Sequence, residues 1–93
     1  IRHDYPPLWL NAGLARYQLG DRVGAREAMA RAILLDPRYV QAHFDLGVLL
    51  LEEGKLAEAA QSFANALSLE PEQNQARFNL EQVQEVLLKE KRE

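Results

Sequence analysis

Two histidines, two serines and a set of carboxylates carry most of the chemistry that this 93-residue sequence offers. An imidazole acts as base or metal ligand only when a carboxylate, a nucleophile or a second ligand is spaced to join it. His43 has no such companion and is expected to be a packing residue with one ring nitrogen hydrogen-bonded. His3 falls in the leading tail and is expected in solvent. Ser62 and Ser68 have no histidine beside them to take a proton, so nucleophilic catalysis has no support. With no cysteine in the chain, a disulfide framework and a thiolate metal site are excluded. The glycines match no phosphate-cradling loop. The Glu52-Glu53 pair, just before Gly54, reads as a solvated helix corner. These residues argue against an enzyme and imply neither cofactor nor metal.

One polar set does have a regular spacing. Asn11, Asp45 and Asn79 stand 34 residues apart, and side-chain amides carry both a donor and an acceptor, as a peptide backbone does. The element that spaces them is an internal repeat. "AILLDP" at 32–37 returns as "ALSLEP" at 66–71, and residues 6–39 align on 40–73 without a gap. Seven of the 34 aligned pairs are identical: Gly13/Gly47, Gly20/Gly54, Ala25/Ala59, Ala30/Ala64, Ala32/Ala66, Leu35/Leu69 and Pro37/Pro71. The matches fall on small residues and punctuation, where geometry is strict, and a period of this length marks a stacked helical array.

Each unit reads as two helices. In the second unit, residues 40–53 are helical in pattern and stop at Gly54, suited to the left-handed turn after a helix. Residues 56–69 follow and are stopped by Pro71. The first unit repeats this with about 7–19, a break at Gly20-Asp21, about 22–35 and Pro37. Asp4, before two prolines, is expected to cap the first helix. Gly13 and Gly47 lie inside helices, where glycine costs about 1 kcal/mol relative to alanine. A crossing partner helix that needs close backbone approach explains them, with Ala25 and Ala59 as its matching small surface. Residues 74–93 restart the pattern with Ala76, Leu80, Val83 and Leu87 at helical spacing. Glu81 then replaces the expected glycine and no second helix follows, as in the solvating cap of an open array. The final "KEKRE" is expected to fray.

These residues resemble the tetratricopeptide repeat family. In residues 40–71 the match runs His43, Leu46, Gly47, Leu50, Ala59, Phe63 and Pro71; in the earlier unit it runs Trp9, Ala12, Gly13, Arg16, Ala25, Met29 and Pro37. Arg16 departs from the large apolar or aromatic residue that the family favours there, which bears on packing in the first unit. The resemblance implies an all-α fold, an alpha-alpha superhelix of two helical hairpins (6–39 and 40–73) and a capping helix (74–93), all in one domain.

The first helices are wider in apolar surface than burial against one neighbour requires. Beside the core stripe lie Phe44, Val48 and Leu51 in the second unit and Leu10, Leu14 and Tyr17 in the first; Phe78 begins the same stripe in the last helix. First helices of the family line the concave side, so the resemblance implies that these seven residues face a groove for a peptide or partner segment, with Asn11, Asp45 and Asn79 fixing its register. Chaperone-binding members clamp a terminal carboxylate with lysine, asparagine and arginine. The corresponding places here hold Leu10, Leu14, Asp45, Gln75 and Asn79, so a mostly apolar ligand with a basic residue near Asp45 is expected instead.

Composition agrees with helices: alanine and leucine supply 29 residues and threonine none. A chain of this size buries roughly 60–65% of its unfolded surface, so it holds a limited core. The net charge of −3, from 11 basic and 14 acidic residues, is unlike the basic footprint of a nucleic-acid binder. No apolar run approaches membrane-spanning length and no secretory signal is visible, which leans toward a soluble, cytoplasmic protein. A rival to peptide binding is structural: self-assembly, or one end of a longer scaffold. Arrays generally need at least three repeats, and Tyr5, Leu8 and Trp9 crowd the uncapped N-terminal end with apolar surface that a second copy or an upstream repeat would cover.

Overall fold

The structure, a computed structural model, describes residues 4–92; His3 and Glu93 lie outside them. Five helices follow one another: α1 (Pro6–Gln18), α2 (Arg22–Leu35), α3 (Val40–Glu52), α4 (Leu56–Leu69) and α5 (Asn74–Arg92). No strand occurs among the described residues. α1 packs on α2 and α3 on α4 as two hairpins; α2 meets α3 across a thinner junction, and α5 lies on α4. The stack is elongated, 51 × 29 × 17 Å along its principal axes.

The repeated punctuation produces repeated helix ends. Gly20 and Gly54 follow α1 and α3 with φ of 87° and 79°, a region glycine enters without steric cost. Gly20 N–H donates to the Tyr17 carbonyl at 3.0 Å and Asp21 N–H to Arg16 at 2.9 Å; Gly54 and Lys55 repeat both bonds on Leu51 and Leu50 at 3.0 and 2.9 Å. Such paired bonds satisfy the last carbonyls of a helix. Asp21 then caps α2, its Oδ1 accepting from Gly24 N–H at 2.9 Å. At the start of α1 the cap position is Tyr5 rather than Asp4. The helix begins on Pro6, whose fixed φ suits its first residue, and the residue before a proline is held extended.

The turns at Pro37 and Pro71 are held by one device in two chemistries. His43 Nε2–H donates to the Pro37 carbonyl at 2.9 Å, and the Arg77 guanidinium donates to the Pro71 carbonyl. Positions 43 and 77 are 34 apart, so each long side chain reaches back from the following helix to the preceding turn. His43 is buried and structural, as its isolation in the sequence suggests.

The interior forms two clusters, one around Leu10, Ala25, Met29, Ala32, Ala42 and Leu49 and one around Leu50, Ala59, Phe63, Ala66, Ala76 and Val83; Leu46 packs against both. Arg16 stays out of this core and donates to the Gly24 carbonyl at 3.3 Å. The Glu52-Glu53 corner is not merely solvated. Arg26 binds both oxygens of Glu53 at 2.8 and 3.0 Å, Arg22 approaches Glu52 to 3.5 Å, and the Tyr17 hydroxyl donates to Glu52. Arg22 and Arg26 sit one turn apart on α2, so together they clamp the end of α3 to the first hairpin. α5 continues through Arg92, into the "KEKRE" run. Lys89, Lys91 and Arg92 suit the negative end of the helix dipole, and Lys89 lies 3.8 Å from Glu85 one turn back.

Both helix-interior glycines are close-approach sites. A Cβ on Gly47 would lie 2.7 Å from Phe63 Cε1 and 2.8 Å from Cδ1, whereas one on Gly13 would meet the Ala25 carbonyl and Met29 Cγ at 3.1 Å each. The Phe63 ring is fully buried and has no room to retreat; the methionine stem is flexible. Gly47→Ala is therefore expected to destabilise the fold by about 1–2 kcal/mol despite its helix propensity gain, and Gly13→Ala by less. Urea denaturation of the two variants checks this, and equal stability for Gly47→Ala and wild type would mean that Phe63 yields freely.

Candidate functional site

Two cavities open on the first helices of the hairpins, and Phe44 borders both. The smaller, about 230 Å³, is lined by Leu14, Tyr17, Met29, Phe44, Asp45, Val48 and Leu49. The larger, about 480 Å³, is lined by Phe44, Asn74, Gln75, Phe78 and Asn79. Helical spacing accounts for the alignment: Phe44 and Val48 lie one turn apart on α3, as do Asn74 and Phe78 on α5. Phe44 is held as the ridge between the cavities by Phe63, whose ring centroid is 5.8 Å away at an interplanar angle of 53°. A third hollow, about 280 Å³, lies along α5 beside Gln84, Leu87, Leu88 and Lys91.

Asp45 is the charged residue of the smaller cavity. Its Oδ1 accepts from Gln41 Nε2 at 2.9 Å. Half-burial pushes its carboxyl above the ordinary carboxylate range, against the pull of the Gln41 bond. Tyr39 is also raised, first by its own burial and then by the Asp45 charge. Among the described residues the ion pairs lie elsewhere, on Glu52, Glu53 and Glu85, and no cation meets Asp45. Tyr17 is raised chiefly by its bond to Glu52, since the phenol must keep its proton to donate it.

The structure brings Leu14, Tyr17, Phe44, Asp45, Val48, Phe78 and Asn79 to the two cavities. Leu10 is a correction. It is 3% exposed and belongs to the first interior cluster, packed with Ala25, Met29, Ala32 and Ala42. Leu51 is half-buried against the second cluster and lines neither cavity. Asn11 is exposed on α1 but also outside both. At the N-terminal end Tyr5 and Leu8 are each 48% exposed, whereas Trp9 is half-buried against the first cluster with the Arg31 guanidinium 5.4 Å above its ring. Trp9 thus joins α1 to α2 and presents less of its side chain to solvent than Tyr5 and Leu8 do. Leu49 and Asn74 line the cavities without having stood out in the sequence, and Met29 stood out there only as a match to the family pattern; Asn74, one turn before Phe78, was discoverable from spacing.

Comparison with known proteins bears on what this arrangement is. The family model of the tetratricopeptide repeat matches residues 10–76. The chain belongs to the tetratricopeptide repeat family. Among solved structures, the second tetratricopeptide domain of human RPAP3, in complex with the HSP70 peptide SGPTIEEVD, is 32% identical with a TM-score of 0.78, over 86% of this chain and 67% of that one. The first such domain of Spaghetti (RPAP3), bound to the HSP90 peptide SRMEEVD, is 26% identical with a TM-score of 0.85, over 91% and 68%. The MamA protein shares the fold at 22% identity and a TM-score of 0.84, and this chain spans 44% of its length. No curated protein sequence matches the chain significantly. No helix among the described residues is long and apolar enough to cross a membrane.

The position of Asp45 in this tetratricopeptide fold has a measurable consequence. A carboxyl whose folded pKa is raised contributes stability that is present below its unfolded pKa and lost as pH rises through the folded value. Asp45→Asn, which keeps the acceptor for Gln41, is therefore expected to raise the melting temperature at neutral pH. The gain should fade as the pH falls below the usual Asp value. A thermal series over pH for both proteins checks this; a gain that persists at low pH would trace to something other than the charge.

Proposed function

We propose that this tetratricopeptide chain is a non-catalytic interaction module that binds a peptide or partner segment along the groove of α1, α3 and α5. The observation that carries this reading is the pair of cavities meeting at Phe44, a largely apolar recess and one that mixes two aromatic rings with amides, across α1, α3 and α5. Leu14, Tyr17, Phe44, Val48 and Phe78 supply contact area, and Asp45 and Asn79 fix the register of the bound segment. The two RPAP3 domains hold peptides ending in EEVD. No basic residue lines either cavity here and one acid does, so an acidic tail would meet repulsion without compensation. The proposed ligand is therefore apolar rather than acidic. With few side chains to bury, its affinity is micromolar, about −8 kcal/mol.

The test is selection from a random peptide library displayed on phage, followed by titration of selected peptides into wild type and Phe78→Ala. Phe78 is 60% exposed, so its truncation spares the core. An affinity loss of about tenfold, or about 1.4 kcal/mol, with unchanged helicity is expected. Binding indifferent to Phe78 would locate the contact elsewhere.

A second reading, self-assembly or stacking on a further hairpin, rests on a separate observation. Tyr39, just before α3, and Ala42, Leu46 and Leu49 of α3 pack against the first hairpin, and Ala76, Leu80 and Val83 of α5 against the second. The equivalent positions one period earlier are Tyr5, Leu8, Ala12 and Ala15, followed by Leu19. Here Tyr5 and Leu8 are each 48% exposed and Leu19 is 85% exposed. α1 thus presents, in solvent, the face that α3 and α5 bury. Molar mass by light scattering over a concentration series is expected to show association that Leu8→Glu abolishes. A monomer at all concentrations would remove self-assembly and leave the groove reading intact.

A further inference from the structure

We infer that the smaller cavity receives one basic side chain, lysine or arginine, from an otherwise apolar segment of a partner protein, with Asp45 as its counter-ion. The inference rests on the groove reading above and adds the chemistry of one subsite. The cavity, about 230 Å³, is apolar on most sides, with Leu14, Val48 and Phe44 among its walls, and Asp45 supplies its charge. Such a recess suits a side chain that is apolar along its stem and charged at its tip. An aliphatic side chain would fill the volume but leave the carboxylate further desolvated beneath it. An acidic one would add like charge.

Asp45 itself favours the cation. It is half-buried, one oxygen is committed to Gln41, and no basic group of the described chain reaches it. Taking a carboxylate out of water without a partner costs free energy, and an arriving ammonium or guanidinium offsets that cost. The pairing is also stronger in this recess than on an open surface, since the surrounding apolar groups screen it less than water would. Arg22, the chain's own cation beside the Tyr17 wall, lies 6.0 Å from that ring and is paired with Glu52 at 3.5 Å. These contacts engage it with Glu52 and Tyr17 and leave Asp45 without it. The ring of Phe44 adds an aromatic surface over which a cation is attracted.

The experiment selects phage-displayed random peptides in parallel on wild type and on Asp45→Asn, which preserves the shape and the Gln41 bond. Wild-type binders are expected to carry one lysine or arginine at a fixed place among apolar residues, and Asp45→Asn binders to lose that enrichment. For one selected peptide, replacing the basic residue by norleucine should weaken binding to wild type about tenfold and leave binding to Asp45→Asn unchanged. Separate lysine and arginine versions show which head group is preferred. Binders that depend on Phe78 but show no basic enrichment would overturn this inference and leave the groove reading standing. Binders that ignore Phe78→Ala would overturn both.

Discussion

The ring of Phe63 lies against the bare backbone of Gly47, and much of the architecture depends on that contact. A methyl group on residue 47 would intrude to within 2.7 Å of the ring, so α3 and α4 approach as closely as they do only because position 47 has no side chain. The ring is fully buried and on another side supports Phe44. One buried phenyl group thus sets the hairpin distance and also steadies the ridge between the two surface cavities. Core and groove are coupled through it. The first hairpin solves the same crossing with Gly13 and Met29, a looser pair.

A stack of hairpins also needs its joints held, since helices alone satisfy only their own backbone. Here the joints rely on carbonyls and carboxylates met by long side chains from a neighbouring helix. His43 and Arg77 bind the carbonyls of Pro37 and Pro71, and Arg22, Arg26 and Tyr17 grip Glu52 and Glu53. Glu53 and Arg26 are largely shielded, with side-chain exposures of 17% and 31%, so salt screens this pair less than an open surface pair. Such contacts fix the angle between hairpins, and the angle in turn sets how far the first helices splay.

Electrostatics bears on what the proposed groove would accept. Fold likeness carries over helix positions; it does not carry over charge. The two cavities bordered by Phe44 hold one acid, Asp45, and no lining cation, an arrangement that disfavours an acidic segment. Ligand class in a repeat fold is therefore decided by a few side chains on the open face rather than by the repeats that hold it open.

The 34-residue period, read with glycine and proline chemistry, determined the number of helices and their ends to within a residue. Those features are local: a left-handed glycine or a proline stops a helix wherever it occurs. The identity of the core second helices followed from the same spacing. The fate of individual side chains on a wide apolar helix did not. Leu10 and Phe44 occupy the same place in the two repeats, yet Leu10 is interior and Phe44 borders both cavities; equivalent alanines line both clusters, and the difference beside them is Met29 in the first hairpin where the Phe63 ring, against which Phe44 packs, stands in the second. Likewise Glu52 and Glu53 look solvated in sequence, and only the crossing of α2 over the end of α3 brings arginines 27 and 30 residues away onto them. Periodicity specifies which face a residue shares; packing against a particular neighbour decides whether that face is covered.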